Sequence, residues 1–209
     1  MAKNTKGPKW ITFTGQSGCG KGTAAEIAKR LCKAKGIKVI TMSTGDNIRT
    51  ATETNTYIAK KMPEINNQGK RQEAPVSFAL DFNQLLKKVT ENSIIIAEGS
   101  PRSVEQFEYM QKIVPSFIPQ LKVIEVLADE KMCFKRLWER TKKDKRIDLS
   151  VKGKPGVPSR YKIKTKMSWW NNVSFPLMHT IQNANMYYVV GNIGTLKELE
   201  EQIKEILFS

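Results

Sequence analysis

Cysteine is scarce in this chain. Cys19, Cys32 and Cys133 are odd in number, widely scattered and form no C-x2-C pair. That pattern argues against a disulfide framework and against a structural zinc site. Histidine is scarcer still. His179 stands alone, so a mechanism needing His as base or metal ligand would rest on one residue, and a structural role is the expectation. No apolar run approaches the roughly 20 residues that span a bilayer, and the polar start (Met1 to Lys9) has no apolar core of a secretory signal. A cytoplasmic protein with no membrane association is expected. Acidic residues are also few: 20 Asp and Glu face 35 Lys and Arg, a formal net charge of +15. The surplus is concentrated between Lys131 and Lys166, where 14 Lys or Arg face 3 Asp or Glu, a local net of +11. Such a block fits a nucleic-acid or membrane surface, or an anion clamp for polyphosphates with its excess charge solvated. Composition does not choose among these.

The most informative stretch runs from Phe13 to Thr23, with Gly15, Gln16, Ser17, Gly18, Cys19, Gly20, Lys21 and Gly22 between them. It follows an apolar run and opens a helical pattern, the placement a phosphate-cradling loop needs. Glycines allow several backbone N–H groups to point into one concavity. The helix N-terminus behind adds positive potential, and Lys21 adds a full charge. The spacing Gly15-x4-Gly20-Lys21 is that of a P-loop, yet Gly22 stands where most P-loops carry Ser or Thr, and the hydroxyl arrives at Thr23. Cys19 lies at the expected helix start, where a thiol can become reactive; a small residue that fits the loop is the alternative.

Five short β-branched runs punctuate the chain: Trp10–Thr14, Val39–Met42, Ile94–Ala97, Val123–Leu127 and Tyr187–Val190. Helical stretches alternate with them, the signature of a parallel sheet covered by helices on both faces. After the loop, Ala24, Ala25, Ile27, Ala28, Leu31 and Cys32 form an apolar stripe that Gly36 ends as a cap. At the far end Leu196, Leu199, Ile203 and Ile206 mark an amphipathic helix. Two segments interrupt the alternation. Residues 44–76 are polar and helical in tendency, while 135–166 are basic and contain Gly153, Pro155, Gly156 and Pro158, which imply a loop. Both read as insertions into a single domain over 1–209, at the carboxyl edge of the sheet where α/β folds bind ligands.

Three further motifs fall at that edge. Ser43-Thr44-Gly45-Asp46-Asn47-Ile48-Arg49 follows the second strand. Glu98-Gly99-Ser100-Pro101-Arg102, with Gln106 four residues beyond the Arg, follows the third. Arg136-x3-Arg140 lies past the fourth, with Arg146-Ile147-Asp148 after it. Together with Gly20-Lys21-Gly22-Thr23, and with Gly69 to Val76 as a variant of a fifth segment, they resemble the adenylate kinase family of nucleoside monophosphate kinases, in its short-lid form. The resemblance covers nearly the whole chain in order and spacing. It implies a three-layer α/β P-loop kinase with five parallel strands ordered 2-3-1-4-5, an acceptor-binding insertion over 44–76 and a lid over 135–166. It further implies a phosphotransferase taking MgATP and AMP, most simply as a monomer.

By that resemblance Lys21 and the loop residues Gly15, Ser17, Gly18, Cys19, Gly20, Gly22 and Thr23 hold the donor phosphates. Arg49 and Arg102 clamp the acceptor phosphate, and Thr44, Gly45, Gln72, Gly99 and Gln106 surround the acceptor. Arg136, Arg140 and Arg146 close over the donor, with Asp148 and either Arg160 or Lys166 in the lid. Glu98 and Asp46 orient Mg²⁺ through its waters. Thr44, where UMP- or CMP-preferring relatives commonly carry Ala, favours AMP. The chain departs from the family pattern at Glu98 and Ser100, at Leu149 in place of a second lid Asp, at Gln72 and Glu73, and in Ser150–Arg160, which matches nothing in the family. Rival readings are a UMP/CMP kinase, a nucleotide sensor without transfer, and a nucleic-acid-binding P-loop protein using 131–166. The last is disfavoured because that segment lacks regularly interleaved aromatics.

Overall fold

The computed structural model describes residues 9–43, 89–90, 93–182 and 186–209. All five β-branched runs form strands. β1 (Lys9–Thr14), β2 (Lys38–Ser43), β3 (Ser93–Glu98) and β4 (Leu121–Leu127) belong to one parallel sheet, which is completed near the chain end by a strand over Tyr187–Gly191. The order is β2-β3-β1-β4 and then that last strand, so the expected 2-3-1-4-5 topology holds. β1 sits in the middle, paired with β3 on one side and β4 on the other. Its side chains are buried on both faces, which is why the sequence reads there as a continuous apolar run.

Helices cover both faces. α1 (Lys21–Ala34) and the C-terminal helix (Leu196–Phe208) lie on the side of Ile11, Phe13, Ile96, Ile124 and Val126. The opposite face carries Trp10, Ile95, Val123, Phe107 and Met110, the last two from α2 (Val104–Ile113). α1 ends where expected: Gly36, with φ 69°, donates its N–H to the Lys33 carbonyl at 2.9 Å. The C-terminal helix turns out rotated from its expected stripe. Leu199, Ile203 and Leu207 are buried, and Leu196 is 63% exposed. Leu196 is the first helical residue, beside the Thr195 cap.

Past β4, α3 (Glu130–Asp144) leads through a 3₁₀ turn into a small antiparallel hairpin, β5 (Ser150–Val151) with β6 (Lys154–Pro158). A loop is expected there; the structure makes a hairpin whose turn contains Gly153 at φ 75°. Ser150 Oγ ties the hairpin to the turn after α3, donating to the Arg146 carbonyl and accepting from the Gly156 N–H. α4 (Arg160–Trp169) then runs into a π-helical turn over Trp170–Ser174 and on to α5 (Phe175–Gln182). Trp170 packs on the core face of Trp10 and Phe107. The last sheet strand is β7 and the C-terminal helix α6. No helix among the described residues is long and apolar enough to cross a membrane.

Ile96 lies in the central layer at 1% exposure. Ile96→Ala is expected to lower unfolding stability by about 2–5 kcal/mol, read by urea denaturation with an unchanged m-value.

Candidate active site

Because β1 is central and parallel to its neighbours, the carboxyl ends of β1, β3 and β4 deliver their loops to one edge. The loop after β1 is tightly enclosed. Gly18 has φ 90°, and a Cβ there would stand 2.5 Å from the Cys133 carbonyl oxygen. No side chain fits that position. Lys21, the first residue of α1, folds back over the loop. Its Nζ donates to the Gly15 and Gln16 carbonyls at 2.9 Å each and lies 3.8 Å from Cys19 Sγ. Burial lowers the Lys21 pKa; Cys19 and Glu98 work against that, and Arg102 adds to it. Ser17, Gly20 and Gly22 line the same loop, and the Thr23 side chain is exposed on the first turn of α1. Cys19 is fully buried, and burial pushes the Cys133 thiol up to about 11. Both side chains are buried in the packing behind the loop.

Gly22 has a local reason. A Cβ there would sit 3.3 Å from Glu98 Oε2, so a Ser or Thr side chain would crowd the carboxylate at the end of β3. Beyond Glu98, the Gly99 N–H donates to the Phe13 carbonyl at 3.1 Å. The Ser100-Pro101 peptide is cis. Ser103 caps α2, accepting from the Gln106 N–H, while Gln106 Oε1 accepts from the Arg102 N–H at 2.7 Å. Gln106 is buried, and its carboxamide oxygen fixes the backbone of the residue whose guanidinium lies over Gly99.

Across the edge, Arg136 of α3 reaches the loop, with Nη1 3.4 Å from the Gly18 carbonyl and 3.3 Å from that of Cys19. Arg140, one turn on, pairs instead with Asp144 on its own helix at 3.2 Å. Arg146 and Lys166, far apart in sequence, meet on Asp148. Arg146 binds it with two hydrogen bonds of 3.0 and 2.7 Å, and Lys166 Nζ donates at 2.7 Å. Burial would raise the Asp148 pKa, but these two cations hold it well below the usual carboxylate range. Arg160, at the exposed start of α4, makes no ion pair among the described residues. Burial lowers Lys166, Asp148 opposes that, and Arg146 and Arg102 lower it further. The Arg102 guanidinium thus acts on both Lys21 and Lys166. Thr44, Gly45, Asp46, Arg49 and Gln72 lie outside the described residues.

Two residues that no motif signals also belong here. Asn192, just past β7, is buried and donates from Nδ2 to the Cys19 carbonyl at 2.7 Å. Gln202 on α6 binds both the N–H and the carbonyl of Gly191. In sequence Asn192 reads as a turn residue and Gln202 as a polar helix position, because both act on backbone atoms remote in the chain.

A parallel sheet, a glycine-rich loop at the N-terminus of α1 and converging cations define a P-loop phosphotransferase. Comparison with known proteins agrees. The model of the AAA domain family matches residues 14–152. An adenylate kinase of Flavobacterium johnsoniae is 26% identical over 198 residues, covering 94% of this chain and 97% of its own. Adenylate kinases of Flavobacterium psychrophilum and Prochlorococcus marinus are 25% and 24% identical with the same coverage. The chain belongs to the AAA domain family, and the full-length likeness to adenylate kinases bears out the resemblance carried by its motifs.

Asp148 generates a pH-dependent test. Its folded pKa is depressed, so its contribution to stability is present above the unfolded value of about 4 and is lost as pH falls through the folded value. Asp148→Asn is therefore expected to be less stable than the parent near pH 7, with the difference shrinking below about pH 4. Urea titrations at a series of pH values check this; a pH-independent difference would rule out the ion-pair account.

Proposed function

We propose that this chain is an adenylate kinase, transferring the γ-phosphoryl group of MgATP reversibly to AMP to give two ADP. The observation that carries the reading is the glycine-rich loop with Lys21 folded back over it and Arg136 reaching its carbonyls, supported by the full-length likeness to adenylate kinases.

An AMP phosphate oxygen attacks the γ-phosphorus in line, and the bond to the β–γ bridging oxygen breaks to leave ADP. The attacking phosphate is largely a dianion near neutral pH, with a second pKa of about 6. It needs no general base. His179 is not required for this chemistry and lies on α5, edge-on to Phe175. What the reaction demands is positioning and cations where charge gathers. In our reading Lys21 and the N–H groups from Gly15 through Thr23 hold the donor phosphates, with Arg136, Arg140 and Arg146 from the lid over 135–166. Arg49 and Arg102 clamp the acceptor phosphate, and the 44–76 insertion with Thr44, Gly45 and Gln72, together with Gly99 and Gln106, surrounds AMP. Lys166, held beside Arg146 by Asp148, is the second lid cation in preference to exposed Arg160.

Among the described residues no group of three or more His, Cys, Asp or Glu could hold a metal ion directly. Glu98 fits an indirect role, its carboxylate standing over the first turn of α1 where Gly22 leaves room. Glu98, with Asp46, would hold Mg²⁺ through water. The ion neutralises phosphate charge when bound. We place the enzyme in the cytoplasm as a monomer.

A coupled assay with ATP against AMP, CMP, UMP, GMP and their deoxy forms is expected to show AMP as the preferred acceptor; preference for UMP or CMP would overturn that assignment. Lys21→Met should lower kcat by about 10²–10³-fold with the fold retained by circular dichroism. Arg102→Ala should raise the KM for AMP by about 10- to 100-fold, and an unchanged AMP dependence would remove its assigned role.

A further inference from the structure

We propose that Asn192 is a positioning residue for the donor site: it fixes the Cys19–Gly20 peptide so that the Gly20 N–H is aimed into the phosphate-binding loop. The inference rests on the reading of that loop as the ATP site. In a trans peptide the C=O and the following N–H point in opposite directions. Whatever grips the Cys19 carbonyl therefore orients the Gly20 amide. The Asn192 carboxamide does so at 2.7 Å, and Asn192 is itself only 6% exposed. Arg136 shares the same carbonyl at 3.3 Å from an exposed position, the longer of the two contacts.

Gly20 is the residue where this matters. Its carbonyl accepts the first backbone bond of α1, from the Ala24 N–H at 3.0 Å, so its own N–H is among the unpaired donors of the helix start. Its φ of 106° lies in the left-handed region, and a Cβ there would collide with the Asn192 amide. Gly20 and Asn192 are thus fitted to one another. The electrostatic logic is as strong as the steric one. A carbonyl oxygen turned toward a polyphosphate repels it, whereas an N–H in the same place attracts it. Asn192 supplies the donor that keeps the oxygen turned away without adding charge.

Asn192 is held for the task. Its own N–H donates to the Leu127 carbonyl at the end of β4, at 2.7 Å. Before it, Gln202 grips both polar atoms of Gly191, at 2.8 and 3.3 Å. After it, Thr195 and Glu198 close a capping box on α6. The β7–α6 connection is thereby a rigid bracket behind the loop.

The test is Asn192→Ala, with Gln202→Met as a milder variant that leaves Asn192 in place and loosens its bracket. Asn192→Ala is expected to raise the KM for ATP, and its dissociation constant by calorimetry, roughly 5- to 30-fold, the equivalent of one buried hydrogen bond. The KM for AMP should change less than about twofold, because the side chains described on this peptide, Asn192 and Arg136, stand on the donor side. Gln202→Met should move ATP affinity in the same direction by a smaller factor. Equal changes for ATP and AMP, or unchanged ATP binding in either folded variant, would overturn the proposal. If the parent binds ATP but transfers nothing to AMP, the proposed function fails while the calorimetric comparison still decides the role of Asn192.

Discussion

The pairing of β1 with both β3 and β4 is the constraint on which the rest of this protein depends. Three parallel neighbours must end at the same edge, so the loops after Thr14, Glu98 and Leu127 emerge together without any side chain having to bring them there. Burial on both faces makes that arrangement stiff: Phe13, Ile95, Ile96, Val123 and Ile124 pack between two helical layers. A stiff edge matters because the chemistry uses several cations at once, and their mutual repulsion would otherwise spread them apart.

That repulsion is visible in the ionisable groups. Lys21 and Lys166 are both depressed by burial, and both feel Arg102. The structure offsets part of this with anions of its own. Asp148 binds Arg146 and Lys166 together, and the Lys21 ammonium is satisfied by two loop carbonyls. A polyphosphate would supply the remaining counter-charge, which is why such a site favours its ligand over water. The basic segment from 131 to 166 is thus divided. Arg136 reaches the first loop at the shared edge. Lys152 and Lys154 lie at the exposed hairpin turn.

Much of this was readable in advance, and the reasons are local. The five strands were legible because each is a short β-branched run, and the loop because Gly-x4-Gly-Lys sits between a strand and a helix. The sheet order followed from the family resemblance. The hairpin over Ser150–Pro158 was not legible: Pro and Gly suppress strand signals, and its strands are tied by the Ser150 hydroxyl, which bonds the Arg146 carbonyl and the Gly156 N–H. The rotation of α6 escaped too, since Leu196 and Ile206 fit the helical period as well as Leu207 does.

The amino-acid sequence by itself determined the elements and the chemical inventory: which stretches must be strands, where backbone amides gather, and which cations are at hand. Those are properties of neighbours along the chain, expressed in residue type and spacing. Only the tertiary structure decided which of those cations meet. It set Lys166 beside Arg146 across 20 positions and brought Asn192 to a carbonyl 173 residues away. Contacts made through backbone atoms leave no periodic trace in sequence, because any residue supplies the carbonyl and only the fold selects the donor.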